Sequence, residues 1–354
     1  MKILILKPSS LGDVVQALPV LRLLKQHLPH SEIYWWIDSR LAPLLAGDPD
    51  LAGIIPFHRR GWASPRNWLA VWRGLGWTRA QSFDWVIDLQ GLARSGAFAW
   101  LANGKLTVGL DEPRELARGY YDAVAPRLSF HTHAVDWYLE VLRLLEVPVH
   151  RSFEWLPPRP DIAAMVSKKW EPETTKWILL QPGARWQNKR WPVEFFGELL
   201  RNLADAQPRF RFAVLGGSED RRLASEICRV APERCLDLTG QLSLQEMVEW
   251  IRLATLMVSN DTGPLHVAAA LRTPVVALFG PTEPARTGPY GQLDHVLQLR
   301  LPCVPCLKSR CHYEKPLECV RTLPVQSVFA AMQQRLEAVT SFDRRDAALS
   351  LAAH

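Results

Sequence analysis

The chain has 354 residues, 48% hydrophobic and 22% charged, a composition that fits a soluble globular protein and excludes intrinsic disorder; at about 150 residues per domain the length suggests two domains. No stretch approaches the roughly 18 consecutive apolar residues of a membrane span, and the apolar opening is too short and too soon followed by a helix to be a signal peptide, so a cytoplasmic protein is expected. The net charge of +6 favours acidic partners: nucleic acid, an anionic membrane or phosphorylated small molecules.

In chain order, the first predicted strand is ILIL at 3–6, which runs through KPSSLGDVV into a helix whose apolar residues recur at Val14, Leu18, Leu21 and Leu24. A strand, a tight turn and a helix place Asp13 at the carboxyl end of a strand, where open α/β sheets bind ligands. Further predicted strands are IYWWI at 33–37, WVIDL at 85–89 and LTVGL at 106–110. They alternate with helical segments, as parallel sheets require. Between residues 150 and 176, LPPRP and a helix-like patch with no clear strand read as a domain connection. The pattern then repeats with WILLQPG at 177–183, FAVLGG at 212–217, LMVSND at 256–261 and VVALFG at 275–280. The fold class is therefore α/β, with two Rossmann-like domains. The segment from Pro324 onward reads as helix.

Three strand-end loops of the second half carry polar chemistry. In QPGARWQNKRWP, Gly183 permits a tight exit from the strand, and Lys189 suits a phosphate or is simply a solvated surface lysine. In SNDTGPLHVAAA, Asp261, Thr262 and Gly263 precede a helix with Pro264 in its first turn. Free N–H groups and the positive helix end can hold an anion there, or the motif is a plain N-cap. FGPTEPARTGPYG reads as a turn-rich wall beside the same crevice. Neither G-x-G-x-x-G nor a P-loop motif occurs, which lowers support for a dinucleotide dehydrogenase and a P-loop NTPase. Asp48-Pro49-Asp50 has the form of a metal pair but sits in a sequence that reads as a turn.

Taken together, LGDVV, DLQGLARSG at 88–96, PGA and KRWP within 182–192, GGSED at 216–220, and NDTGPLHVAAAL through FGPTEP resemble glycosyltransferase family 9, the bacterial lipopolysaccharide heptosyltransferases. The resemblance implies GT-B architecture, two Rossmann-like domains with parallel sheets facing a central cleft: residues 1–160 binding the acceptor, 161–325 binding the nucleotide sugar, and 326–354 a helical segment packing back on the first domain. It implies inverting transfer of L-glycero-D-manno-heptose from ADP-heptose to Kdo-lipid A or the heptosylated core, at the cytoplasmic face of the inner membrane, without metal or other cofactor. A family member using another nucleotide sugar, or a non-catalytic nucleotide-sugar-binding protein, are the alternatives. By the same resemblance Asp13 is the base that takes the acceptor hydroxyl's proton, and Lys189 neutralises the departing diphosphate with Thr262 and Gly263. His266 and Asp261 belong to the donor site, Asp220 (or Glu219) meets the ribose, and Leu242 meets the adenine. Some relatives place two threonines where this chain has Ala184 and Arg185, so Arg185 is expected to supply a donor contact beside Gly183.

For the acceptor, the stretch from His58 to Arg79 interleaves Arg59, Arg60, Arg66, Arg73 and Arg79 with Trp62, Trp68, Trp72 and Trp77 and holds no acid. It fits an anionic amphiphile at a membrane surface, and equally a basic helix face over core tryptophans; nucleic acid fits the composition but is not the expected partner. Arg114 in DEPRE matches a family position near acceptor acidic groups. Cys303, Cys306, Cys311 and Cys319 form C-x2-C-x4-C-x7-C beside His312, readable as structural zinc, reversible disulfides or packed thiols.

Overall fold

The computed structural model describes residues 1–58, 68–112, 115–172 and 175–352, apart from the side chains of 68–72 and 340–352. The chain divides into two compact units, Met1–Pro157 and Pro158–His354; the sequence reading set this boundary at residue 160.

The first unit holds strands β1 (Lys2–Leu6), β2 (Glu32–Asp38), β3 (Gly53–Phe57), β4 (Trp85–Asp88), β5 (Leu106–Leu110) and β6 (Ala123–Ala125), with helices α1 (Leu11–His27), α2 (Ala42–Leu45), α3 (Trp68–Ala80), α4 (Ala93–Ala102) and α5 (Ala134–Leu144). The second begins with α6 (Pro160–Trp170) and continues through β7 (Lys176–Gln181), α7 (Val193–Ala206), β8 (Phe210–Val214), α8 (Arg221–Cys228), β9 (Cys235–Asp237), α9 (Leu244–Leu253), β10 (Leu256–Asn260), α10 (Gly263–Ala270), β11 (Val275–Phe279), α11 (Pro284–Thr287), β12 (Val296–Gln298), α12 (Glu318–Arg321) and α13 (Val325–Ala352).

Each unit contains one parallel sheet of six strands, in the orders β3-β2-β1-β4-β5-β6 and β12-β11-β10-β7-β8-β9. The α/β class holds. Ile3 to Leu6 have no exposed surface, and neither do Ile178 to Leu180, because a parallel strand covered by helices on both faces needs an unbroken apolar run. The strand order reverses between β1 and β4 in one sheet and between β7 and β10 in the other, and ligands of open α/β sheets bind at such switch points. Asp13 follows β1, and Lys189 and Asp261 follow β7 and β10.

Trp36 stacks on Phe98 at 4.5 Å, in a cluster with Leu4, Leu6, Phe83 and Val86 that joins the β1-β4 sheet to α4. In the second unit Trp191, Phe196 and Leu199 pack with Val325, Val328, Met332 and Leu336 of α13. The first turns of the terminal helix bury these residues in the second unit's core. Among the described residues no helix is long and apolar enough to cross a membrane.

Asp48 and Asp50 have a structural task. The Arg22 guanidinium, 7% exposed, donates to Asp48 at 2.6 and 2.7 Å and to Asp50 at 2.7 Å, and its Nη2 reaches the Trp155 carbonyl oxygen at 3.0 Å. One buried cation thereby fastens α1 to the turn before β3 and to the end of the unit. Arg22→Ala leaves a carboxylate buried without its partner, which is expected to cost the first unit about 3–5 kcal/mol. Urea unfolding followed by tryptophan fluorescence and circular dichroism checks this; a loss below about 1 kcal/mol would reduce the cluster to an ordinary surface pair.

Candidate active site

The second unit carries a cavity of about 450 Å³ at the carboxyl ends of β7 and β8 and the amino ends of α9 and α10. Its volume lies in the range of small-ligand pockets. Leu215, Leu242, Leu244 and Met247 form an apolar wall; Arg185, Arg190, Glu219, Asp220 and Thr262 bring polar groups. Such a lining suits a flat apolar ring with a polar, anionic tail.

Gly183 and Gly216 are required by Asp220. A Cβ on Gly216 would lie 2.8 Å from the Asp220 Cβ, and one on Gly183 would overlap the Asp220 carboxylate. The strand exits come this close because Asp220, ending the turn Ser218–Asp220, folds its side chain under them and accepts the Gly217 N–H at 3.2 Å. Burial pushes the Asp220 carboxyl above the ordinary aspartate value, against the pull of the Gly217 N–H and Arg190. Glu219 also lines the cavity.

The 182–192 loop is held by its own polar groups. Asn260 accepts the Trp191 N–H at 3.1 Å and donates to the Pro182 carbonyl oxygen at 2.8 Å, and Arg190 Nε donates to the Ala184 oxygen at 2.7 Å. This tethering delivers Lys189 to the end of β10. There its Nζ lies 2.6 Å from Asp261 Oδ2 and 4.7 Å from the Trp186 ring centroid. The Thr282 hydroxyl donates to the same Oδ2 at 2.6 Å, and His266 Nε2 stands 3.8 Å from Oδ1. Thr262, the N-cap of α10, makes no side-chain cap hydrogen bond and lines the cavity next to this cluster, with Gly263 and Pro264 opening the helix. Cation, hydroxyl and helix N-terminus thus gather where an anion would be stabilised.

The structure brings Gly183, Arg185, Asp220, Leu242 and Thr262 together around the cavity, and Lys189, Asp261 and His266 beside it. Thr282, Asn260 and Arg190 are missing from the sequence reading. Thr282 stands in the loop read only as a wall, and a hydroxyl 21 positions from its partner leaves no local spacing signal.

Asp13 belongs to the first unit. It is the third residue of α1, and its Oδ2 accepts from the Ser10 N–H at 2.8 Å and the Ser10 hydroxyl at 2.6 Å, a reciprocal capping arrangement that sets the carboxylate at the helix end. Arg59, Arg60 and Arg114 lie outside the described residues. The four clustered cysteines are free thiols; burial pushes the Cys319 thiol up to about 11, and among the described residues no three His, Cys, Asp or Glu side chains are placed to hold a metal ion.

With this geometry in place, comparison with known proteins identifies the lineage. Residues 68–317 match glycosyltransferase family 9 (heptosyltransferase). The chain belongs to glycosyltransferase family 9. It is 32% identical to a lipopolysaccharide heptosyltransferase 1 of Pseudomonas aeruginosa, covering 89% of this chain and 88% of that protein. A lipooligosaccharide heptosyltransferase 2 of Haemophilus influenzae is 27% identical over 84% of this chain and 89% of its own. An Escherichia coli heptosyltransferase solved with ADP superposes with a TM-score of 0.75 at 25% identity, covering 95% of this chain and all of that one. The protein is a glycosyltransferase, and its two parallel-sheet units are those of the GT-B class.

In this family 9 chain Thr282 shares Asp261 with Lys189 without being a charge itself. Thr282→Val, which keeps the shape and removes the donor, is expected to destabilise the second unit by about 1–3 kcal/mol, since the carboxylate is left short of a hydrogen bond. Thr282→Ser is expected to stay within about 1 kcal/mol of the native protein. Urea unfolding of both variants checks the pair; equal stabilities would show that the hydroxyl contributes nothing.

Proposed function

We propose that the protein transfers L-glycero-D-manno-heptose from ADP-heptose to the inner core of lipopolysaccharide, with inversion and without a divalent cation. The observation that carries the proposal is the Lys189, Thr262 and Gly263 grouping beside a cavity with one apolar wall and a buried carboxyl, in a chain 32% identical to a lipopolysaccharide heptosyltransferase 1. The adenine packs on Leu242, the ribose hydroxyls meet Asp220, and the diphosphate comes to Lys189 and the α10 end, with Arg185 supplying a further contact. Asp13 removes the proton of the acceptor hydroxyl as that oxygen attacks the anomeric carbon. The bond to the diphosphate breaks, and ADP departs with its new charge against Lys189, the role a metal ion has in other transferases. Lys189 is paired with Asp261 at rest, so the diphosphate must share this ammonium or draw it from the carboxylate.

The acceptor is assigned to the first unit, with Arg59, Arg60 and Arg114 as its anion-binding residues, at the cytoplasmic face of the inner membrane. The most similar relative named above is a heptosyltransferase 1, which favours Kdo over the first heptose as the group that receives the sugar.

The direct assay incubates ADP-heptose with Kdo-lipid A, and separately with its monoheptosylated product, in excess chelator, with mass spectrometry as readout. One added heptose on Kdo-lipid A is expected. Addition to neither acceptor refutes heptosyl transfer to the inner core, and activity that needs magnesium refutes the cation-free clamp.

Two substitutions separate base from clamp. Asp13→Asn keeps an acceptor for Ser10 but cannot take a proton, so turnover is expected to fall by about 10² to 10⁴ with ADP affinity nearly unchanged. Lys189→Ala is expected to weaken both ADP binding and turnover. Calorimetry and single-turnover kinetics measure the split; near-native turnover in Asp13→Asn would leave Asp13 only a helix cap.

A further inference from the structure

We propose that Cys228 and Cys235 form a reversible redox site in the second unit: Cys228 attacks a low-molecular-weight disulfide, and Cys235 resolves the mixed disulfide into a bond that joins α8 to β9. The transfer chemistry uses neither sulfur. Loss of this site would therefore leave the reading of the donor and acceptor sites untouched.

Cys228 is the last residue of α8 and Cys235 the first of β9. Both are free thiols, and their Sγ atoms lie 3.0 Å apart, about 1 Å beyond the length of a disulfide. A small side-chain movement closes the bond. The segment between them is folded so as to keep them together: the Val230 N–H donates to the Ile227 oxygen at 3.1 Å and the Ala231 N–H to the Cys228 oxygen at 3.2 Å. Arg234, directly before Cys235, donates to the carbonyl oxygens of Ala204, Gln207 and Phe210 at 2.5, 2.7 and 2.5 Å and so pins the start of β9. Cys235 itself stands in register with Phe212 of β8.

The two sulfurs are not equivalent. Cys228 is half-buried, whereas Cys235 is 9% exposed and seated in the second unit's core, so an incoming reagent meets Cys228 first. The Cys235 S–H holds the Cys228 thiol below its ordinary value, against burial and the Asp237 charge, and the same contact, together with burial, pushes the Cys235 thiol up. A partly exposed thiolate beside a buried second thiol is the arrangement of a redox-sensing pair. In the first step the Cys228 thiolate bonds to one sulfur of the reagent, whose S–S bond breaks; the departing thiolate takes up the proton that Cys228 released. Capping Cys228 removes the contact that raised Cys235. Cys235 then gives its proton to water and displaces the second reagent thiolate, which is protonated in turn. The protein has lost two hydrogens, and the reagent has become two thiols. The near ends of the joined elements face the donor cavity: α8 opens next to Asp220, and the chain leaving β9 reaches Gly240, whose N–H donates to the Gly216 oxygen at 3.0 Å, and then Leu242. The disulfide fastens the far ends of the same two elements, and so braces the frame of the cavity without entering it.

Glutathione disulfide is the probe. The reduced full-length protein is incubated with it, quenched with N-ethylmaleimide and digested with trypsin for mass spectrometry. The expected product is peptide 223–229 joined to peptide 235–252, two hydrogens lighter than their sum and separated again by dithiothreitol. Glutathione left on Cys228 without the cross-link, or oxidation confined to Cys303, Cys306, Cys311 and Cys319, overturns the proposal. Two variants test the order of attack. Cys235→Ser keeps a hydrogen-bond donor beside the thiolate and removes the resolving sulfur, so one glutathione is expected to stay on Cys228. In Cys228→Ser, glutathione is expected to reach Cys235 about tenfold or more slowly than it reaches Cys228 in the other variant. Equal rates overturn the assignment of Cys228 as the attacking sulfur. Should either variant fail to fold, maleimide labelling of the reduced native protein decides the same point: Cys228 is expected to react before Cys235, and the reverse order overturns the proposal.

Discussion

Charge taken out of water has to be matched where it lies, and this constraint shapes both units. At an effective dielectric far below that of water an uncompensated ion costs several kcal/mol, so a buried charge dictates the placement of its neighbours. Asp261 shows the effect most fully. It is 5% exposed, and its carboxylate gathers Lys189 from the loop after β7, Thr282 from the loop after β11 and His266 from α10. Two loops distant in sequence, and the helix that follows β10, are brought to one point at the end of β10, and that point adjoins the N-terminus of the same helix. The same interaction that stabilises the loops leaves a cation beside the place where a diphosphate would be held.

The first unit meets the constraint in two ways. Arg22 is matched by Asp48 and Asp50, with both carboxylates turned to one guanidinium and nothing presented to a ligand. Lys7, 3% exposed, is held instead by the Leu89 carbonyl oxygen at 2.7 Å and the Tyr138 ring at 4.6 Å. The second arrangement lies at the switch point between β1 and β4, where open α/β sheets bind ligands.

The strands that could be read from the sequence were the interior ones. Every strand inferred from an apolar run, from ILIL to VVALFG, has neighbours on both sides, and the four that escaped, β3, β6, β9 and β12, are the sheet edges. The cause is physical. Edge strands are half-covered and short: β6, β9 and β12 have three residues each, and β3 carries Pro56, which an edge tolerates because an N–H facing away from the sheet need not be paired. Candidate site residues followed the same logic. Asp13, Lys189 and the Asp261 to Gly263 run announced themselves by standing at the ends of readable strands. Thr282 did not, since its partner lies 21 positions away along the chain and leaves no local spacing signal. Asp48 and Asp50 were read from the sequence as a turn, and the cation that they hold comes from the middle of α1.

A carboxylate that caps its own helix is at first sight a poor choice for a base, because the Ser10 donors and the helix N-terminus all favour the charged form and so lower its appetite for a proton. In the role proposed for Asp13, two requirements nevertheless coincide. Capping needs the ionised carboxylate, and proton removal needs the same form at the moment the acceptor arrives, when the site is emptied of water and desolvation pushes the other way. Preorganised donors then replace the lost hydration without having to move, which is the condition under which fixed dipoles are most effective. The reduced intrinsic basicity is tolerable if the acceptor hydroxyl loses its proton only as the glycosidic bond forms, late enough that the oxygen is already becoming acidic. On this view Ser10 and the α1 terminus are parts of one device, whose purpose is to hold a negative charge in place through a change of solvent.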